Sequence, residues 1–136
     1  MGTDGKAQRK LTVVCFLWYD EQGVRNPIYI YDERHVHALK TMVDRHLDMP
    51  HEFVCVSDRS IAGVRTIPLD YTSHVPGTRY AKLMMFNPDG ALSGRRILYL
   101  DLDAIVTRDI TPLASRDEGL VLWRNPNYGV PRRARS

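Results

Sequence analysis

Cysteine and long apolar runs are both scarce in this sequence. Among its 136 residues only two are cysteines, Cys15 and Cys55, and each lies inside a short apolar run. Cysteines in such surroundings indicate small buried hydrophobic side chains, not a disulfide framework or a metal site. No apolar stretch approaches the length that spans a bilayer, and no signal-peptide pattern opens the sequence. These observations predict a reducing, cytoplasmic location.

Three motifs that identify common enzyme classes are missing as well. The chain has no Gly-x-Gly-x-x-Gly, no P-loop pattern and no Gly-x-Ser-x-Gly. Dinucleotide-binding folds, P-loop NTPases and hydrolases with a nucleophile elbow therefore find no support in the sequence.

Length and composition are those of one globular domain. Hydrophobic residues make up 43% of the chain and charged residues 26%, which is not the composition of a disordered protein. A formal net charge of +3 is too small to indicate nucleic-acid binding. We expect a disordered lead-in over residues 1–10, one domain over residues 11–124 and a basic tail over residues 125–136. The tail is expected to be solvated, with peripheral membrane contact through acidic lipid as the alternative.

Apolar periodicity predicts an α/β fold. Continuous apolar runs predict strands buried on both faces, and an apolar stripe after the N-cap Asp32 predicts a helix that Pro50 ends. Because strands and helices alternate, we expect a mostly parallel sheet with helices on both faces. The predicted strands are Leu11–Trp18, His51–Ser57, Val64–Pro68 (towards an edge), Ile97–Leu100 and Gly119–Trp123, and the further helical segments are Tyr80–Phe86 and one turn within Thr107–Ser115.

Two aspartates, Asp101 and Asp103, follow directly after the Ile97–Leu100 run. In strict strand geometry both would point to the same face, at the carboxyl end of a strand, where open α/β sheets bind ligands. Two adjacent hard oxygen ligands suit Mg²⁺ or Mn²⁺ that carries phosphate groups, and burying both carboxylates without a cation would be costly. A solvated turn or a helix cap is the alternative for so short a pattern.

The segment ILYLDLDAIVTRDITPL resembles the Asp-x-Asp region of nucleotide-sugar glycosyltransferases with the GT-A fold, of the glycogenin and bacterial galactosyltransferase type. In that pattern a Tyr-Leu-Asp-x-Asp strand is followed by a further Asp-Ile and a Leu, which Asp109, Ile110 and Leu113 match. The segment Tyr80–Phe86 is similar to the helix that precedes this strand in such enzymes. The resemblance covers residues 11–122, and it implies a Rossmann-like GT-A fold and a nucleotide-sugar donor, most readily a UDP-sugar, bound with Mn²⁺ or Mg²⁺.

The same resemblance implies which residues bind the donor. Asp103 would ligate the metal ion directly, and Asp101 would share the ion or bind the ribose. Lys82 would lie against the pyrophosphate, although an exposed helical lysine is the ordinary interpretation of such a residue.

Three further positions are assigned to the nucleotide by the resemblance alone. Trp18 and Tyr19 would contact the base and the ribose, with a core-edge aromatic as the alternative. Asp58, which follows the predicted strand His51–Ser57, would approach the base, with a turn-forming aspartate as the alternative.

Two other functions stay open at the level of the sequence. In a phosphatase of the haloacid dehalogenase type, Asp101 would be the nucleophile and Asp103 the general acid/base. In that class, however, the motif normally lies on the first strand and a lysine and an acidic pair follow it. The other alternative is a non-catalytic remnant that binds nucleotide-sugars.

Some parts of a transferase site are not identified in the sequence. Metal-using relatives often complete the site with a downstream histidine, whereas all five histidines here precede Asp101. No residue is assigned as catalytic base, and the acceptor is unknown. Because GT-A domains build the acceptor site from their later half, we expect an incomplete domain with an open apolar patch, which self-associates or is only marginally stable. A compact minimal enzyme is the alternative.

Overall fold

The computed structural model describes residues 10–18, 31–69 and 79–122 and folds them into a parallel sheet with helices packed against it. The predicted α/β class is therefore confirmed. Tyr19, residues 1–9 of the predicted lead-in and the predicted basic tail lie outside the described residues. The elements in chain order are β1 (Leu11–Leu17), α1 (Glu33–His46), β2 (His51–Ser57), β3 (Arg65–Pro68), a 3₁₀ helix (Arg79–Phe86), β4 (Arg96–Tyr99) and α2 (Thr111–Ala114).

The four strands lie in the order β3-β2-β1-β4, and every neighbouring pair is parallel. Strand β1 is central: Leu11 lies opposite His51 of β2 on one side and opposite Arg96 of β4 on the other. All seven residues of β1 are buried, as its continuous apolar run predicts. The chain steps outward from β1 to β3 and then returns to the other side of β1 as β4. The strand order therefore reverses between β1 and β4.

Alternate residues of β1 pack on opposite faces of the sheet. Val13 and Cys15 pack against α1 on one side, which we call the α1 face. Val14 and Phe16 pack on the other side against the 3₁₀ helix, which contributes buried Ala81 and Met84 and defines the 3₁₀ face. Helices thus cover both faces, as predicted.

Helix α1 begins at the predicted N-cap. The Asp32 carboxylate accepts a hydrogen bond from the Arg34 N–H (3.0 Å), and the Asp32 N–H donates to Nδ1 of His35 (3.1 Å). This is a capping box in which histidine stands where Glu or Gln is usual. The last helical residue is His46, four positions before Pro50. In the described ranges no helix combines the length and the apolar character needed to cross a bilayer.

Two strand predictions are wrong in part. Residues Ile97–Leu100 are only half-buried, not buried on both faces, because β4 has β1 as its one neighbour among the described strands. Residues 119–122 form no strand, and Leu120 and Leu122 are exposed. Apolar character alone does not make a strand where no neighbour pairs with it. Trp123, the last residue of that prediction, lies outside the described residues.

The other element predictions are confirmed. Strand β3 lies at an edge of the described sheet, as expected for the short third strand. The helical segment before β4 is present as 3₁₀ helix, and the single helical turn expected within Thr107–Ser115 is α2.

The packing of α1 on the sheet predicts that two leucines differ strongly in their contribution to stability. Leu39 of α1 is 0% exposed in the core, whereas Leu122 is 76% exposed. Leu39→Ala should lower the free energy of unfolding by about 2–5 kcal/mol, because it removes buried methyl groups and leaves a cavity. Leu122→Ala, the matched control, should change it by less than about 0.5 kcal/mol. Urea unfolding followed by circular dichroism measures both, and similar losses would contradict the assigned core.

The two cysteines give a second prediction. Cys15 and Cys55 are buried, reduced and directly opposite each other on β1 and β2. The hydrogen bond with Cys55 and burial both raise the pKa of the Cys15 thiol. Since the thiolate is the reactive form, neither thiol should be alkylated by iodoacetamide until the sheet opens. Mass spectrometry across a urea series should show both thiols labelled at the unfolding midpoint. Labelling of the native chain would show that β1 and β2 open locally.

Candidate functional site

Three of the residues that the sequence assigns to the nucleotide-sugar follow strand ends at the carboxyl edge of the sheet. Trp18 follows β1, Asp58 follows β2, and Asp101 follows β4 by two residues. Leu17 and Ser57 lie opposite each other, so Trp18 and Asp58 end their strands at the same level. Asp101 lies beside the end of β1, where the strand order reverses. In open α/β sheets a crevice forms at such a reversal, outside the carboxyl ends of the strands.

The two aspartates lie in a turn and not on the strand. One further bond of the ladder, from the Leu100 N–H to the Val14 carbonyl (3.0 Å), follows β4. The Ala104 N–H then donates to the Asp101 carbonyl (3.0 Å), which closes a turn over residues 101–104. The expectation that both carboxylates share a strand face is therefore wrong. Both are also exposed, so the expected cost of burying them does not arise.

Asp101 is bound by two donors on the 3₁₀ face. Lys82 Nζ lies 2.5 Å from Asp101 Oδ1, and the Tyr99 hydroxyl donates to the same oxygen. The Lys82 ammonium is also 5.2 Å from the centroid of the Tyr99 ring, within range of a cation–π contact. Lys82, Tyr99 and Asp101 therefore form one connected group.

The charges of this group support one another. Partial burial would raise the pKa of Asp101, but the hydrogen bonds from Lys82 and Tyr99 outweigh it and lower that pKa overall. Burial and the bonded carboxylate together raise the pKa of Tyr99. At neutral pH Asp101 is thus an anion held by a cation and a neutral hydroxyl.

Asp103 has its contact on the α1 side. The Tyr31 hydroxyl donates to Asp103 Oδ2 at 3.4 Å, across 72 positions of sequence. Tyr31 directly precedes the N-cap of α1, and its ring meets His35 edge-on at a centroid distance of 5.2 Å. Desolvation and then the Asp103 charge raise the pKa of Tyr31, so the hydroxyl stays a donor.

The chain after Asp103 is tied to the end of α1. The Ile110 N–H donates to the His46 carbonyl (2.9 Å), and the Asp48 N–H donates to Oγ1 of Thr111 (2.9 Å). Val106, between these bonds and the turn, is buried. The turn that carries the aspartates is therefore fixed at both ends, by β4 before it and by α1 after it.

Tyr31 and Tyr99 were not identified from the sequence. Tyr99 stands two residues before Asp101, and this spacing in an extended chain gave a usable signal that the two side chains are neighbours. Tyr31 had none, because its contact with Asp103 depends on how α1 packs on the sheet.

The donor set at the turn fits a divalent cation only as part of its coordination shell. Over residues 10–18, 31–69 and 79–122 no three His, Cys, Asp or Glu side chains are grouped closely enough to hold a metal ion. Asp101 and Asp103 would supply two hard oxygens, and phosphate and water would supply the rest, which is the usual way proteins bind Mg²⁺. The N-terminus of α1 is capped by Asp32, and Lys82 is a cation beside Asp101 that a phosphate could contact.

The structure gives the positions of two further residues predicted to contact the nucleotide, but these positions do not test that role. Trp18 is half-buried and packs on the 3₁₀ face, and Asp58 is half-buried at the end of β2.

Comparisons of the chain with models of protein families, with curated protein sequences and with solved structures found no match. Function is therefore inferred from the site.

The hydroxyl of Tyr99 gives the site a pH prediction. Tyr99→Phe should raise the pKa of Asp101 towards its ordinary value, because one of two donors to the carboxylate is lost. The stability that this lowered pKa contributes is present above the pKa of the unfolded carboxyl and is lost as pH falls through the folded value. Carbon-detected NMR titration measures the change. Tyr31→Phe, whose hydroxyl contacts Asp103, is the control and should leave Asp101 unmoved; an equal shift in both variants would contradict the assigned contacts.

Proposed function

We propose that residues 11–124 form the donor-binding domain of a metal-dependent glycosyltransferase of the Rossmann-like GT-A type, with a nucleotide-sugar, most readily a UDP-sugar, as donor. The observation that carries the proposal is the position of Asp101 and Asp103. They follow β4 at the carboxyl edge, beside β1, where the strand order reverses. The Asp-x-Asp resemblance adds the chemical class, since the sheet order alone is compatible with many ligands.

The two aspartates of the turn and the side chains that contact them have different tasks in this proposal. Asp103 and Asp101 would hold Mn²⁺ or Mg²⁺. When bound, the ion supplies Lewis-acid stabilisation of the charge that develops on the leaving diphosphate. Lys82 adds a second positive charge on the same side. The hydroxyls of Tyr31 and Tyr99 orient the two carboxylates.

Trp18 and Asp58 are the proposed contacts for the nucleotide base. They stand at one level at the ends of neighbouring strands, next to the reversal point. Trp18 is half-buried and packs on the 3₁₀ face, and in this proposal the exposed part of its indole would contact the base. Tyr19 follows directly and stays a proposed ribose contact on the resemblance alone.

The phosphatase alternative gains no support from the contacts of Asp101. Oδ1 of Asp101 accepts hydrogen bonds from both Lys82 and Tyr99, so a nucleophilic role would fall to Oδ2. The motif also follows β4 and not the first strand, where that class of phosphatase normally carries it.

The proposal predicts metal-dependent nucleotide binding. UDP should bind in the presence of Mn²⁺ and should lose at least about tenfold in affinity without it, because the ion bridges phosphate and carboxylates. Asp103→Ala should abolish this metal-dependent part. Asp89→Ala, which removes an exposed carboxylate after the 3₁₀ helix, is the matched control and should bind as the unchanged chain does. Calorimetric titration with and without Mn²⁺ is the measurement.

Two results of that titration would count against the proposal. Equal UDP affinity with and without Mn²⁺ would contradict the assigned metal site. No UDP binding at all would contradict the assigned nucleotide-sugar donor. Metal-dependent binding without turnover of a UDP-sugar would favour the non-catalytic binding module.

A further inference from the structure

Lys82 is already occupied by the carboxylate that is proposed to hold the cation. Its ammonium is 2.5 Å from Asp101 Oδ1 and rests over the Tyr99 ring. The same oxygen also accepts a hydrogen bond from the Tyr99 hydroxyl, so both of its lone pairs are in use. A divalent ion that ligates Oδ1 must therefore displace a donor, and the ammonium, which the ion repels, is the one that moves.

The surroundings of Lys82 allow that movement at little cost. Its side chain is 30% exposed and that of Asp101 is 55% exposed, so water screens the pair. Lysine carries its charge on a flexible four-carbon stem. Lys82 also belongs to the 3₁₀ helix, which buried Ala81 and Met84 hold to the sheet. The ammonium can swing away without disturbing either the helix or β4.

The local charges give a reason for Lys82 to change partner. With Asp101, Asp103 and Lys82 alone, the turn carries a net charge of minus one. A divalent ion would bring it to plus one, and the ammonium would then be repelled by the ion that replaced it. A doubly charged diphosphate on the same ion would attract the released ammonium and return the net charge to minus one.

We infer that Lys82 exchanges partners: it is the internal counter-ion of Asp101 until a divalent cation displaces it, and it then turns to the diphosphate. This inference rests on the proposed function, because it takes the diphosphate from the proposed donor. It goes beyond that function in making Lys82 a competitor of the metal ion as well as a ligand of the phosphate.

If Lys82 exchanges partners, one substitution at this position should change the affinities for Mn²⁺ and for UDP in opposite directions. Lys82→Met keeps the stem over Tyr99 and removes the charge. Mn²⁺ alone should bind about two- to five-fold more tightly, the range expected when a partly exposed ion pair no longer competes. UDP, titrated with saturating Mn²⁺, should bind about tenfold more weakly, because a charged phosphate contact is lost. A merely structural lysine would move both affinities the same way or neither.

The chain offers a matched control for this substitution. Lys40 of α1 pairs with Asp44 at 2.6 Å and is 35% exposed, so the pair resembles Lys82–Asp101 in geometry and exposure. Both of its residues lie on α1 and not at the candidate site. Lys40→Met should leave both affinities unchanged. Free Mn²⁺ is measured by electron paramagnetic resonance, and UDP binding by calorimetry.

The two measurements separate failure of the inference from failure of the proposed function. A Lys82→Met chain that binds Mn²⁺ no more tightly than the unchanged chain overturns the exchange, including the case in which neither binds. Tighter Mn²⁺ binding with unchanged UDP affinity overturns the exchange too, because Lys82 then makes no contact with the diphosphate. Absence of Mn²⁺-dependent UDP binding in the unchanged chain overturns the proposed function, whatever Lys82→Met does with Mn²⁺ alone.

Discussion

The burial of β1 on all sides is the constraint from which the rest of the fold follows. A strand without water around it must pair its backbone groups with neighbours on both edges, and β2 and β4 fill those positions. Its side chains point alternately to two faces, so each face needs a cover. Helix α1 covers one face and the 3₁₀ helix covers the other. Even the one polar residue within β1, Thr12, is buried.

This arrangement also determines where charge can be placed. Ionised groups are excluded from the interior and gather at the ends of the strands, where the chain turns back. Asp101 is bound to Lys82 from the 3₁₀ face, while Asp103 is bound to Tyr31 at the start of α1. Two aspartates only two positions apart therefore connect the layers on opposite faces of the sheet. A ligand at the turn would contact both layers at once.

Local sequence signals predicted the elements whose character is set locally. The apolar runs of β1 and β2, the N-cap Asp32 and the single turn of α2 were all predicted close to their observed bounds. Position in the sheet is not a local property, so the continuous apolar run Ile97–Leu100 is far less buried than the apolar run of β1. The failure of Gly119–Trp123 as a strand has the same cause, since its apolar residues lack a paired neighbour in the part of the chain that the structure describes.

The residues of the candidate site likewise fall into those that local sequence predicted and those that depend on tertiary packing. The sequence predicted Asp101, Asp103 and Lys82 through the motif and its resemblance, and the structure brings Lys82 against Asp101. It gave the turn at Asp101–Ala104 only as the alternative, because strand geometry was extended two residues too far. Nor did it predict Tyr31, whose contact with Asp103 depends on the packing of α1. Motifs identify chemistry along the chain, whereas the partners of that chemistry come from tertiary packing.

The site and the core are energetically separate. The core residues of β1, α1 and β2 are buried by apolar contacts, each contributing up to a few kcal/mol. The Lys82–Asp101 pair is partly exposed, and pairs of this kind contribute about 0–1 kcal/mol to stability. The fold therefore does not depend on the pair, and the pair can open while the sheet stays intact. A weak ion pair on a rigid scaffold is the combination that the proposed exchange requires, since it would let the ammonium leave the carboxylate for a divalent cation.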